Sequence, residues 1–308
     1  MIHVPKIAVL LATLNGARFL PQQLRSLTRQ SLRPNEVWVS DDGSSDATRT
    51  QVRQFADATP DISFHVLNGP GRGPAANFLH LIASVPRDTD VLLFCDQDDV
   101  WLLDRIARAA SALGRYQSPM LAAGPSLICR ADLTPIRASA PRDDNIGFAH
   151  ALTQGVACGH ALALNRAGLA AAKATAALAT DIRAHDWWLY QIITGVGGQV
   201  IYDPEPQVLY RQHDANFFGA DIGLRGKFRR LRALVDGRAA LWTDQHLTAL
   251  QRCRPMLTVP NRRLLDDYSA TRVGAPLTRL QQLKTLNLHR PYKAESLALH
   301  AAILAGRY

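Results

Sequence analysis

Asp90–Trp101 reads DVLLFCDQDDVW. Its first half is a short unbroken apolar run. Its second half crowds three carboxylates, Asp96, Asp98 and Asp99, into four residues around Gln97. An apolar run of that length, without alternation, fits a strand buried on both faces, as parallel sheets require. Working outward, Lys6–Ala12 (KIAVLLA) has the same character, and Asn15-Gly16 turns the chain after it. A helix is expected over Phe19–Thr28, with Leu20, Leu24 and Leu27 on one face, then a strand over Glu36–Ser40. Ser45–Ala56 reads as a helix with Ser44 or Ser45 as N-cap, Ile62–Leu67 as a strand, and Ala75–Ser84 as a helix after the loop NGPGRGP. Strand Asp90–Cys95 and helix Trp101–Tyr116 follow. This alternation predicts an α/β fold with a doubly wound, mostly parallel sheet. Such sheets bind ligands at the carboxyl ends of their strands. Asp41-Asp42 and Asp96–Asp99 both fall there.

Beyond residue 118 the rhythm changes. Leu121–Cys129, Ala157–Leu164, Gln199–Tyr202 and Gln207–Arg211 read as strands, the last placed at a sheet edge by Pro204 and Pro206 just before it. Ala167–Ala179 and His185–Thr194 read as helices, and the chain after Gly223 as helical and basic. Two parts are expected: a catalytic α/β domain over residues 1–222 and a basic helical extension over 223–308.

The 308 residues, 47% apolar and 20% charged, can bury a sizeable core. No apolar run reaches the roughly 18–20 residues of a membrane span. The apolar stretch Ile7–Leu14 lacks the basic leader and cleavage site of a signal peptide, so it reads as a buried strand of an unsecreted, cytoplasmic protein. Cys95, Cys129, Cys158 and Cys253 are scattered without a CxxC pair, which fits reduced thiols and no zinc site. The net charge of +9 is unevenly spread. Residues 1–223 hold 19 Lys/Arg against 21 Asp/Glu, whereas residues 224–308 hold 16 against 5. The basic end calls for an anionic partner.

Four constellations bear on chemistry, each with a plain structural alternative. Carboxylates crowded as in Asp96–Asp99 repel one another unless a cation or donor network offsets them, and they suit hard cations such as Mg²⁺ or Mn²⁺; the alternative is a solvated acidic loop capping the next helix. In SDDGSSD (Ser40–Asp46), a carboxylate can accept from a base N–H or ribose hydroxyl, or the segment can be only a capped turn. In His185-Asp186-Trp187-Trp188, Asp186 can serve as general base and a tryptophan as a stacking wall for a sugar, or the four can simply start a helix. After the last strand, Arg211 can meet a phosphate and His213 a metal, or both can be ordinary packing. The Gly-rich loop around Arg72 can bring backbone N–H groups to a nucleotide, but it contains neither GxGxxG nor a P-loop lysine, which disfavours dinucleotide and Walker-type sites.

Taken together these motifs resemble glycosyltransferase family 2, a GT-A fold family. AVLLATLNGARFLPQQLRSLTRQS resembles its opening strand and helix, and VWVSDDGSSDAT its nucleotide signature. LLFCDQDDVW resembles its D-x-D region in a form found among bacterial rhamnosyltransferase-like members. QGVACGHALALNR is similar to its acceptor-side loop, and HDWWLYQIITGVGGQVIYDPEPQVLYRQH to its base helix, final strand and closing histidine. The resemblance covers roughly residues 6–216. It implies a Rossmann-like GT-A sheet and an inverting, metal-dependent glycosyltransferase with a nucleotide-sugar donor, dTDP-L-rhamnose first among the choices. It implies Thr13, Asn15, Asp41 and Asp42 near the nucleotide, with Arg72, Asp96 and Gln97 on the donor. Asp98 with His213 would hold Mg²⁺ or Mn²⁺. Asp186 becomes the catalytic base, with His185, Trp187 and Arg211 lining the substrates. His185 departs from the Glu that many members carry before the base.

An acceptor on a cell-surface glycan or lipid-linked saccharide, such as lipopolysaccharide or O-antigen, is expected. Residues 224–238 put Leu224, Phe228, Leu231 and Leu234 on one face of a basic helix, which fits peripheral contact with an anionic membrane or a packed helix with a solvated face. No helix-turn-helix, zinc-finger or RNA-binding signature accompanies the basic end, so no nucleic-acid partner is expected.

Overall fold

The computed structural model describes residues 4–139, 146–214, 216, 236–272, 275–286, 288, 297 and 300–302. The chain begins β1 (Ile7–Thr13), α1 (Leu20–Thr28), β2 (Glu36–Asp41), α2 (Thr48–Asp57), β3 (Ser63–Asn68), α3 (Pro74–Ser84), β4 (Val91–Asp96). It continues through β5 (Val100–Trp101), α4 (Arg105–Leu113), β6 (Met120–Ala123), β7 (Leu127–Cys129), β8 (Pro135–Ala138) and α5 (Phe148–Ala151). Then come β9 (Ala163–Asn165), α6 (Arg166–Ala176), α7 (His185–Gly195), β10 (Gln199–Tyr202) and β11 (Val208–Arg211). Three helices follow: α8 (Arg238–Arg252), α9 (Val259–Thr271) and α10 (Pro276–Thr285).

The main sheet has the order β10-β6-β9-β4-β1-β2-β3. All its pairings are parallel except those of β9, which runs antiparallel to both β4 and β6. The period of two decides the layering. On β1, Ala8 and Leu10 face one buried cluster while Ile7, Val9 and Leu11 face the other. On β4 the split is Leu92 and Phe94 against Val91, Leu93 and Cys95. One cluster takes in Phe78 and Leu81 of α3, Leu169 of α6 and Trp188 of α7; the second takes in Leu24, Leu27, Val52 and Ile106 of α1, α2 and α4. Leu247, Leu250 and Leu265 of α8 and α9 join the first cluster, so these two helices of the basic end share the core of the sheet.

Several sequence expectations shift. Trp101 opens no helix: Val100–Trp101 pairs antiparallel with β11, and α4 starts at Arg105. Leu121–Cys129 divides around Gly124-Pro125 into β6 and β7, which lie in different sheets. β7 and the unforeseen β8 join a second sheet of order β5-β11-β7-β8. There β11 is interior rather than an edge, because its prolines precede the strand and remove no ladder donor. Of Ala157–Leu164, only Ala163 and Leu164 lie in a strand, β9; Gly159–Ala161 forms a 3₁₀ turn. α2 begins at Thr48 without a serine cap, since Ser44 and Ser45 bond elsewhere and Asp46 accepts from Thr48 N at 3.0 Å. Residues 224–235 of the expected amphipathic helix lie outside the described residues.

Candidate active site

Strand register assembles the site. Thr13 of β1 stands opposite Asp41 of β2, and Ala12 stands opposite Asp96 of β4. Both acidic clusters therefore meet at one end of three neighbouring parallel strands, although 55 residues separate Asp41 from Asp96.

Asp41 is 2% exposed and accepts from Thr13 Oγ1 at 2.9 Å, Ser44 N at 3.0 Å and Ser44 Oγ at 2.5 Å. Arg49 lies 3.6 Å away. Asn15 adopts a left-handed backbone (φ 49°), which Asn tolerates, and its amide oxygen accepts from Ser45 N at 2.9 Å. Asp42 turns away and accepts from Gly71 N at 2.7 Å and Gly73 N at 2.8 Å, so it ties down the Gly-rich loop. Gly71 and Gly73 both have positive φ, so the curl that presents their N–H groups needs glycine. Gln97 is a clamp: its amide both accepts from Leu14 N (2.8 Å) and donates to Leu14 O (2.9 Å). Arg72 donates outward to Thr180 O at 3.1 Å.

At the end of β4, Asp98 Oδ2 lies 2.8 Å from His213 Nε2, and the His213 ring stacks on Phe19 at 4.6 Å. Asp99 is fully buried; its Oδ1 accepts from Arg211 N at 3.1 Å, and its Oδ2 lies 3.2 Å from His160 Nδ1. His160 Nδ1 also lies 3.5 Å from Asp96, and its Nε2 is 2.7 Å from Ser126 Oγ. Burial disfavours the imidazolium, yet Asp99 and Asp96 outweigh it and raise the His160 pKa. Burial works against ionised Asp96 too, but His160 holds its carboxyl below the usual range. Asp98 and Asp99 are both pushed up, first by burial and then by neighbouring carboxylates, Asp98 despite the opposing pull of His213 and Asp99 despite that of His160. One oxygen each from Asp96 and Asp99 and one His160 nitrogen lie within 4.8 Å of one another. An oxygen-rich, under-compensated donor set of this kind fits a hard divalent cation.

Arg211 points elsewhere. Its buried guanidinium donates to Asp98 O (2.7 Å), Gln22 Oε1 (2.5 Å) and Ala131 O, and lies over the Phe19 ring. It buttresses the acidic loop from behind. At α7, His185 is buried, stacked 4.0 Å from Phe78, and its Nε2 has no hydrogen-bond partner among the described residues. Burial lowers its pKa, so the ring is neutral packing. Asp186 sits half-buried in the first turn, its Oδ1 accepting from Trp187 N at 2.7 Å. Trp187 donates from Nε1 to Ala151 O at 2.7 Å and stacks on His246 at 4.1 Å, and Trp188 is fully buried.

His160 and Ser126 are not among the sequence candidates, and Asp99 enters there only as one of three crowded carboxylates. A lone histidine inside an apolar stretch carries no local signal; only the antiparallel insertion of β9 beside β4 brings it to the carboxylates.

The family model described as "Glycosyl transferase family 2" matches residues 8–158. The dTDP-rhamnosyl transferase RfbG of Shigella flexneri is 30% identical over 233 residues, which cover 72% of this chain and 78% of that protein. Validoxylamine A glucosyltransferase of Streptomyces hygroscopicus subsp. jinggangensis is 47% identical over 99 residues, 29% of this chain and 23% of the relative. Among solved structures, the mannosyltransferase PcManGT from Pyrobaculum calidifontis, in complex with GDP-Man and Mn2+, superposes with TM-score 0.54 at 17% identity, over 99% of this chain and 86% of that one. S. aureus TarS 1-349 in complex with UDP gives 0.52 at 14% identity, over 98% and 89%. Identities this low speak for the GT-A fold alone.

Proposed function

The chain belongs to glycosyltransferase family 2, and from that premise we propose that it is an inverting rhamnosyltransferase. On this reading it moves L-rhamnose from dTDP-L-rhamnose to a hydroxyl of a cell-surface or lipid-linked saccharide, such as an O-antigen precursor. The observation that carries it is the convergence of Asp41, Asp96 and Asp98–His213 at the carboxyl ends of β2, β1's neighbour β4 and β11. The rhamnose assignment leans on the S. flexneri relative.

Thr13, Asn15 and Asp41 form the nucleoside end: a buried, hydrogen-bonded Asp41 is pre-set to accept from a base or ribose group. Asp98 and His213, together with Asp96 of the adjoining Asp96, Asp99 and His160 set, are the residues that would hold Mg²⁺ or Mn²⁺, which when bound would offset charge growing on the leaving diphosphate. Asp186 takes the proton from the acceptor hydroxyl, whose oxygen attacks the anomeric carbon opposite the diphosphate, so configuration inverts. Arg211, Gln97 and Asp42 act through the backbone they brace. No helix among the described residues is long and apolar enough to cross a membrane. The protein works at the cytoplasmic face, with residues 224–238 as its contact to anionic lipid.

The test is nucleotide release from dTDP-, UDP- and GDP-sugars with Mg²⁺, with Mn²⁺ and with EDTA, in the wild type and in Asp98→Ala and Asp186→Asn. EDTA-sensitive dTDP release from dTDP-L-rhamnose is expected, with Asp186→Asn sparing nucleotide binding while turnover falls on the order of 10²–10⁴-fold. Preference for a UDP- or GDP-sugar discards rhamnose, and normal turnover in Asp186→Asn discards the base. Absence of both turnover and nucleotide binding points to a non-catalytic protein on this fold.

A further inference from the structure

The C-terminal helix α8 reaches into the segment that carries Asp186. His246 of α8 is fully buried. Its Nε2 accepts from Arg183 N at 3.2 Å, so its Nδ1 carries the proton and donates to Gln191 Oε1 at 2.8 Å. Gln191 Nε2 in turn donates to Ala151 O at 3.1 Å, the same carbonyl that receives Trp187 Nε1. The His246 ring stacks on Trp187 with centroids 4.1 Å apart and 26° between planes. One turn earlier, Trp242 lies under the Arg183 guanidinium at 4.9 Å. Two residues of α8, four apart and therefore on one face, thus grip both ends of Arg183–Trp187.

The consequence falls on Asp186. On its N-terminal side, His185 is wedged between Phe78 and Gly159 of the catalytic core. On its C-terminal side, Trp187 is held by His246. We infer that His246, assisted by Trp242, is a positioning residue that sets the direction of the Asp186 carboxylate, so that the basic C-terminal part of the chain completes the base side of the active site. The inference rests on Asp186 being the base. It gives α8 a part in the chemistry separate from any membrane contact. A base misplaced by about 1 Å costs on the order of 10²-fold in rate, and the first turn of α7, held between two anchors, shifts when one of them is cut.

Full-length His246→Ala, His246→Gln, Asp186→Glu, Asp186→Asn and Leu250→Ala provide the test. Leu250 is fully buried one turn along the same helix and serves as the control for lost packing. Readouts are turnover of dTDP-L-rhamnose, affinity for dTDP with Mn²⁺, and amide exchange across residues 183–187. His246→Ala is expected to slow turnover on the order of 10–100-fold, leave dTDP affinity within about two-fold and speed exchange at the Arg183 amide. His246→Gln, which keeps an acceptor for that amide, recovers most of both. The losses from His246→Ala and Asp186→Glu are expected to be non-additive, as for residues acting through one group. Leu250→Ala lowers stability without the exchange change at 183–187. Unchanged exchange there in His246→Ala overturns the inference whatever the donor, as does fully additive loss with Asp186→Glu. Wild-type turnover in His246→Ala, with turnover lost in Asp186→Asn, overturns this inference alone. Wild-type turnover in Asp186→Asn removes the base assignment and this inference with it.

Discussion

Replacing Gly159 by alanine is the sharpest test of how the base segment is seated. A methyl group at Gly159 would stand 2.5 Å from His185 Cε1, and closer still to Nε2. Carbon atoms in good contact sit about 3.5–4.0 Å apart, so the overlap is roughly 1 Å. The ring has nowhere to go: His185 is 8% exposed, and Phe78 stacks behind it at 4.0 Å and is itself fully buried. Forced overpacking of this kind costs about 1–3 kcal/mol, or roughly 1.5 °C in Tm per kcal/mol for a chain of 308 residues. Because Asp186 is the next residue, any relief by shifting α7 moves the carboxylate, and turnover should fall on the order of 10-fold or more. Scanning calorimetry and donor turnover are measured on Gly159→Ala, His185→Ala and the double variant. Removing the imidazole clears the space, so the glycine substitution should cost almost nothing in the His185→Ala background. An equal Tm loss in both backgrounds, or a Gly159→Ala protein with wild-type Tm and turnover, refutes the wedge.

Two further outcomes follow from the same contacts. Asp42→Ala removes the acceptor of both Gly71 N and Gly73 N; at about 1.4 kcal/mol for each lost hydrogen bond the loop opens on the order of 10–100-fold more often, and trypsin should cut at the exposed Arg72 correspondingly faster. An unchanged cleavage rate would show that the loop is held by something else. Burial lowers the His246 pKa to about 3, well below the 6.5 of a free histidine. Its contribution is therefore intact above pH 6.5 and is lost as pH falls from there towards 3, because the unfolded chain takes up the proton first. Unfolding free energy should fall by about 1.4 kcal/mol per pH unit over that window from this group, and His246→Gln should flatten that part of the curve relative to wild type. Parallel curves for the two proteins would contradict neutral burial of His246.

The stretches most legible in the sequence are those whose burial leaves a local pattern of residue types, whatever strand they pair with. Val91–Cys95 and Ile7–Leu11 were legible as buried strands because burial on both faces demands an unbroken apolar run. The acidic turns after them were legible because strand ends in such sheets expose their carboxylates to a common rim. α2 began later than expected because Ser44 and Ser45, good caps locally, are drawn to Asp41 and Asn15 across the turn. The sequence also suggested a phosphate contact at Arg211, a base or ribose contact at Asp42 and a sugar platform at Trp187. In the fold the side chains of Arg211 and Asp42 bond to the protein's own backbone, and that of Trp187 both to the backbone and to a stacked ring. A polar side chain's chemistry is visible in its letter, but its partner is not.

The sequence by itself determined the alternating α/β order, the parallel core and the carboxylates that end β2 and β4, since each depends on local periodicity and on residue type. Only the tertiary structure decided the register that sets Asp41 beside Thr13, the antiparallel β9 that carries His160 to Asp96 and Asp99, the second sheet that brings His213 to Asp98, and the helix α8 that seats His246 against Trp187. Those contacts join residues from about 30 to more than 100 positions apart. They are selected by which buried faces pack together, a free energy summed over the whole core that no short window of sequence contains.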